Sequence, residues 1–233
     1  MYDIYIMSKI NIIFGVLLLI VISCLIFYFK NKKMIGNIKE KGFILHREFL
    51  DSQYCDRIMM TVNTEMFNKN KEEFFTNGVN RRNIALPLDE NIKPILTMIC
   101  KKSEIISKIK NPVIIECGIL LTYPNSKNTD WESKNSKTKT FMIILDGTKD
   151  KNNITQFYSG SHLNKETKEL VEYQCGRGDM YVYDNRIIRR HTGNFSETIR
   201  PIFYFSVTDD KEFIGQKNNN NVLKSEYRGK VKL

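Results

Sequence analysis

Histidine is scarce in this chain: His46, His162 and His191 are the only 3 in 233 residues. A histidine-rich metal site is thereby excluded, and any catalytic imidazole is one of these three. Cysteine is sparse too, with 5 residues and no CxxC pair. That excludes a disulfide framework and a cysteine-zinc site, so Cys24, Cys55, Cys100, Cys117 and Cys175 read as reduced and mostly buried. With 5 Pro and 12 Gly, collagen-like classes are excluded. Acidic charge is in deficit, 26 Asp+Glu against 36 Lys+Arg, for a net charge of +10. Such a balance favours phosphate, acidic lipid or nucleic acid as partners, and bears on partners rather than on fold. The basic patches lack the interleaved aromatics of a nucleic-acid platform, so no nucleic-acid partner is expected. What is plentiful is apolar: 42% hydrophobic residues, including 14 Phe and 11 Tyr. These exclude a disordered chain and suffice for a sizeable core. The length suits one folded domain with appendages.

Ile10 to Phe29 contains no Asp, Glu, Lys or Arg. About 20 such residues span a hydrocarbon core of roughly 30 Å. A cleaved signal would have a shorter apolar core and small residues after it, whereas here Phe27, Tyr28 and Phe29 run into Lys30, Lys32 and Lys33. One transmembrane helix over 10–29 is therefore expected, with the lipid bilayer as a partner. The lysines that follow it place the larger part of the chain in the cytosol, as a single-pass membrane protein. Asn153-Ile154-Thr155 and Asn194-Phe195-Ser196 are formal glycosylation acceptors. A glycan on the second would crowd a candidate site, which also favours the cytosol.

Residues 1–9 form a short N-terminal segment and 30–41 a polar linker. Residues 42–210 have the density of a folded domain, and 211–233 a basic, mobile tail. Within the domain, Asp51 caps an expected helix bearing Cys55, Ile58, Met59, Val62 and Met66 at helical spacing. A second helix is expected over Pro94 to Ile109, with Pro94 in its first turn. After Pro112 the pattern changes to β-branched and aromatic runs at Val113–Thr122, Phe141–Leu145, Met180–Tyr183 and Ile202–Val207. Helices first and strands later indicate an α+β fold with an antiparallel sandwich or barrel.

His191 lies between two predicted strands, where an imidazole can face into a barrel. Arg200, which opens the later strand, can take a carboxylate bidentately. A metal-ligand His with a carboxylate-binding Arg is what an iron site with an organic-acid cosubstrate requires; a polar loop histidine is the plainer reading. Arg81-Arg82 and Arg189-Arg190 read as solvated pairs, unless they converge on a barrel mouth to hold an anion.

Several pieces occur in one order: Gly42 to Leu50, Tyr123-Pro124-Asn125-Ser126, Leu145-Asp146, Gly160-Ser161-His162, Gly178-Asp179, and His191-x-Gly193-Asn194-x-Ser196-x-x-x-Arg200. Together they resemble the phytanoyl-CoA dioxygenase-like family of Fe(II)/2-oxoglutarate-dependent oxygenases, over roughly Gly42 to Val207. The resemblance implies a double-stranded β-helix, a jelly-roll or cupin-like barrel with flanking helices. It implies Fe(II) as metal, 2-oxoglutarate as cosubstrate, and ascorbate as a possible reductant. His191 would be the distal iron ligand, Asp130 the carboxylate ligand, and Arg200 the residue binding the far carboxylate of 2-oxoglutarate. His162 would be structural. The implied activity is hydroxylation of a small or lipid-like substrate.

The sequence departs from the family at one ligand. A His is expected two residues before Asp130, where Asn128 stands. Its neutral amide oxygen is a weaker donor to Fe(II) than imidazole. A register shifted by two would instead pair Asp130 with Glu132, which share a face in an extended segment. Three readings follow: an active oxygenase, an inactive oxygenase-fold binding or scaffold protein, and a protein side-chain hydroxylase. Oligomeric state is left open by the sequence.

Overall fold

The structure, a computed structural model, describes residues 15–23, 34–68, 74–75, 80–146, 153–167, 169–209, 211 and 231–232. The chain divides into two units, Met1–Ile35 and Gly36–Leu233.

In the first unit, residues 15–23 form helix α1. The expected single-pass anchor with a cytosolic domain is corrected here: among the described residues no helix is long and apolar enough to cross a membrane. Residues 10–14 and 24–29 of the expected span lie outside the described residues.

The second unit is built on two antiparallel sheets. The larger runs β1 (Met34–Asn37), β2 (Phe43–His46), β9 (Met180–Asp184), β6 (Lys139–Ile144), β11 (Arg200–Asp209), β5 (Pro112–Thr122), β4 (Arg81–Ala85) and β3 (Phe74–Phe75), with β12 (Val231–Lys232) also paired to β5. The smaller runs β10 (Arg189–His191), β7 (Asn153–Tyr158) and β8 (Leu170–Gln174). Two helices accompany them, α2 (Ser52–Asn68) and α3 (Lys93–Lys102). Apart from 211 and 231–232, the expected basic tail lies outside the described residues.

Both helix starts follow from side-chain chemistry. The Asp51 carboxylate accepts the Tyr54 amide at 2.9 Å, satisfying an N–H that the first turn leaves open. Pro94 sits in the first turn of α3, where no amide is needed. The helix expected to reach Ile109 stops at Lys102, and Ile106–Lys108 continue as a separate 3-10 turn. Short strands also flank the helices, so the order is not simply helices and then strands.

Strand alternation sorts the larger sheet into two faces. Phe203, Phe205 and Val207 of β11, Phe141 and Ile143 of β6, and Met180 and Val182 of β9 join Cys55, Ile58 and Val62 of α2 and Leu96 and Ile99 of α3 in one buried cluster. The alternate residues, Tyr204 and Ser206, Thr140 and Met142, and Tyr181 and Tyr183, turn to the other face. A bulge between Ser206 and Val207 resets the register with β5, so Ser206 lies opposite Glu116 while Val207 lies opposite Ile114. Glu116 thereby shares a face with Ser206, and Ile114 joins the buried cluster. Between the sheets, Phe43 stacks on Phe157 at 4.9 Å, with Tyr181 and Tyr183 against Phe157.

The turns that precede β2 and β9 carry fixed polar contacts. Gly42, at φ 80°, has no room for a side chain: a Cβ there would lie 2.6 Å from Nδ1 of buried His162. His162 Nε2 in turn lies 3.0 Å from the Lys39 carbonyl, consistent with a structural role. Asp179, fully buried, accepts Arg47 at 2.6 Å and the amides of Glu48 and Gly176, each at 2.9 Å. Replacing Asp179 with Ala strands three donors, one of them charged, and is expected to cost about 3–5 kcal/mol. Urea unfolding of the purified variant measures this loss; an unchanged midpoint would contradict it.

Candidate active site

Thr122 ends β5, and the chain then folds back as an extended segment along β10. Bridges form at Ser126 with Asn194 and at Glu132 with Arg189. Between them, Thr129 and His191 exchange bonds: Thr129 N–H donates to the His191 carbonyl, and His191 N–H to Thr129 Oγ1, each at 2.9 Å. The segment holding Asn128 and Asp130 is thus pinned beside His191 by its backbone. Gly193 permits the approach, because a Cβ there would lie 2.3 Å from the Ser126 carbonyl oxygen.

Asn128, Asp130 and His191 line one cavity of about 470 Å³, with Arg81, Asn83, Glu116, Tyr183 and Tyr204 among its other walls. His191 is half-buried and sits on β10, not in a loop. Its Nδ1 lies 3.2 Å from Thr155 Oγ1. The Thr155 hydroxyl donates to Tyr181 Oη at 2.8 Å, so its oxygen is left to accept from His191 Nδ1–H. With the Thr155 hydroxyl donating in this way, a proton on Nδ1 would leave the lone pair on Nε2, the form a metal-ligating imidazole needs. Sequence reasoning missed Thr155 and Tyr181; both lie on strands whose inward parity becomes legible only once the sheets are paired.

The remaining expected residues fare differently. Glu132 pairs with Arg189 at 3.0 Å, and Arg189 also lies over the Tyr183 ring at 4.5 Å. Glu132 is therefore engaged, which weighs against the shifted register. The Asn128 amide oxygen accepts the Gly193 N–H at 2.7 Å. Among the described residues, no group of three or more His, Cys, Asp or Glu is placed to hold a metal. The protein thus offers one imidazole, one carboxylate and a hydrogen-bonded amide, two of the three donors that a facial triad supplies.

Arg200 opens β11 as expected and is 1% exposed. Its guanidinium donates to the carbonyls of Thr192 at 2.9 Å and Gly193 at 3.4 Å. Burial pulls its pKa down to about 10. The reading of the arginine doublets as solvated pairs is corrected: Arg81 and Arg189 are each 2% exposed. Only their neighbours lie outward, Arg82 over Tyr123 and Arg190 over Trp131. Alternation within a strand separates the two members of each doublet. Asn194 of the formal glycosylation sequon is buried, its amide donating to the Thr122 and Thr198 carbonyls.

Comparison with known proteins follows the architecture. No family model and no curated protein matches this chain. Solved structures do. The epimerase SnoN, solved with Fe3+, alpha ketoglutarate and nogalamycin RO, superposes with a TM-score of 0.61 at 12% identity, covering 84% of this chain and 92% of its own. The non-heme alpha ketoglutarate-dependent carbocyclase SnoK gives 0.60 at 15% identity, covering 83% and 93%. HygX from Streptomyces hygroscopicus, with nickel and 2-oxoglutarate bound, gives 0.53 at 10% identity, covering 74% and 85%. The chain therefore has the jelly-roll fold of the non-heme, 2-oxoglutarate-dependent enzymes. The likeness does not single out the phytanoyl-CoA dioxygenase-like branch.

Proposed function

We propose that this chain is an Fe(II)/2-oxoglutarate-dependent oxygenase-type enzyme acting on a small polar substrate. The observation that carries the reading is the orientation of His191. The Thr155–Tyr181 relay presents its Nε2 lone pair in a cavity that Asp130 also lines. His191 and Asp130 would hold the metal, and Arg200 would face the distal carboxylate of 2-oxoglutarate. When bound, iron and 2-oxoglutarate supply oxidative decarboxylation coupled to oxidation of a substrate C–H bond. The chain's own part is to fix the imidazole tautomer, set a carboxylate beside it and keep a cationic wall behind both.

The substrate is read from the cavity walls. Leu120 and Met142 are the aliphatic ones; Asn83, Glu116, Thr140 and Tyr204 provide polar groups. Tyr204 Oη donates to Asn83 Oδ1 at 2.7 Å, which leaves the Asn83 amide N–H groups as donors. Ser206 donates to one Glu116 oxygen. A polar molecule with hydroxyl or amine groups suits such walls better than a lipid chain.

Asn128 favours a second reading, a non-catalytic binding module of the same fold, because its amide is committed to Gly193. Anaerobic Fe(II) binding and aerobic succinate formation, with ascorbate present, separate the two. Under the first reading the wild-type chain forms succinate, and Asn128→His tightens iron binding roughly 10-fold or more. A silent wild type, with activity only in Asn128→His, would establish the second.

A further inference from the structure

Arg81 poses a physical problem that the proposed function does not absorb. It lines the cavity, yet it is 2% exposed, and its Nε and Nη1 have no hydrogen-bond partner. Only Nη2 is engaged, and only by main-chain carbonyls: Lys127 at 3.2 Å, His191 at 3.4 Å, and Thr192. None of the ion pairs among the described residues includes it. A buried cation without a counter-charge costs several kcal/mol.

A second buried guanidinium compounds the cost. Arg81 on β4 and Arg200 on β11 flank β5, and both lie opposite Thr122. At strand spacings of about 4.8 Å, their Cα atoms stand roughly 10 Å apart on one face. Their side chains converge, since both donate to the Thr192 carbonyl. Burial, and then the charge of Arg200, lowers the Arg81 pKa to about 10. A second like charge this close strengthens the demand of Arg81 for an anion.

We propose that Arg81 is a second carboxylate-binding residue that, with Arg200, seats the distal carboxylate of the 2-oxo diacid. This rests on reading the site as a 2-oxoglutarate site. The twin guanidiniums make it selective for a dicarboxylate over a monocarboxylate, and the bound anion supplies the missing counter-charge. In the sequence Arg81 stood only as half of the Arg81-Arg82 doublet, read as a solvated pair unless it converged on a barrel mouth to hold an anion.

The test is calorimetric titration of the full chain, with Ni(II) present, using 2-oxoglutarate and 2-oxobutyrate. The second acid keeps the 2-oxo acid end and lacks the distal carboxylate. Wild type is expected to prefer 2-oxoglutarate strongly. Arg81→Met should weaken 2-oxoglutarate roughly 10- to 100-fold while leaving 2-oxobutyrate within about 3-fold. It should also melt, without ligand, at or above the wild-type temperature, because an apolar side chain replaces an uncompensated charge. Arg81→Lys, which keeps the charge without the planar fork, should fall between, and carries the test if the Met variant does not fold. Equal weakening of both acids, or wild-type affinity for 2-oxoglutarate in the variants, overturns the assignment and leaves the proposed function standing. A wild type that binds neither acid removes the proposed function, and this inference with it.

Discussion

His191→Ala is expected to weaken divalent-metal binding at least about 100-fold while leaving the fold nearly as stable as before. The two halves of that expectation have separate origins. The backbone of His191 holds the Asn128–Asp130 segment through Thr129, and those bonds survive loss of the side chain. The ring itself makes a 3.2 Å contact with Thr155 and contributes the imidazole donor. Removing an outer-shell partner of a metal ligand commonly costs 10- to 100-fold in affinity, so loss of the ligand itself should cost no less. Calorimetry with Ni(II) or anaerobic Fe(II), beside a melting curve, measures both. Full metal affinity in the Ala variant would remove His191 from the site.

Phe205→Ala is the second large effect, and it falls on stability. Phe205 is fully buried, stacks on Phe141 at 4.8 Å with an interplanar angle of 7°, and lies 6.2 Å from Phe203. It belongs to the cluster that joins the larger sheet to α2 and α3. Truncation of such a side chain costs about 3–5 kcal/mol. That is a large share of the roughly 5–15 kcal/mol that holds a domain together. A fall in melting temperature of about 10 °C or more is expected. The next residue along the strand supplies the control. Tyr204→Phe removes one hydrogen bond to Asn83 on the opposite face, worth about 1 kcal/mol. If both variants lost equal stability, the division of the sheet into a packed face and a cavity face would be wrong.

The strands most legible in the sequence were those with a packed face. Val113–Thr122, Phe141–Leu145 and Met180–Tyr183 match β5, β6 and β9 to within two residues, because β-branched and aromatic residues dominate them. β7 and β8 were not read, since Asn153–Tyr158 and Leu170–Gln174 mix polar and apolar residues without a run. That omission hid the relay through Thr155. Of the apolar run at 10–29 only 15–23 is described, and among the described residues no helix is long and apolar enough to cross a membrane. At the site, His191 and Arg200 were singled out through the motif that resembles the oxygenase family, since spacing alone left His191 a polar loop residue. Arg81 carried only the conditional reading of its doublet and Glu116 none: their placement depends on strand pairing and on the bulge at Ser206, which no local pattern announces.

The central claim is that His191 and Asp130, in this fold, form a working centre for iron and 2-oxoglutarate despite Asn128. Anaerobic addition of Fe(II) and 2-oxoglutarate to the full chain tests it most directly, by the weak visible charge-transfer band of the ternary complex. The band is expected in the wild type and absent in His191→Ala. Its absence from the wild type, with appearance only in Asn128→His, would contradict the claim and mark the fold as one turned to binding.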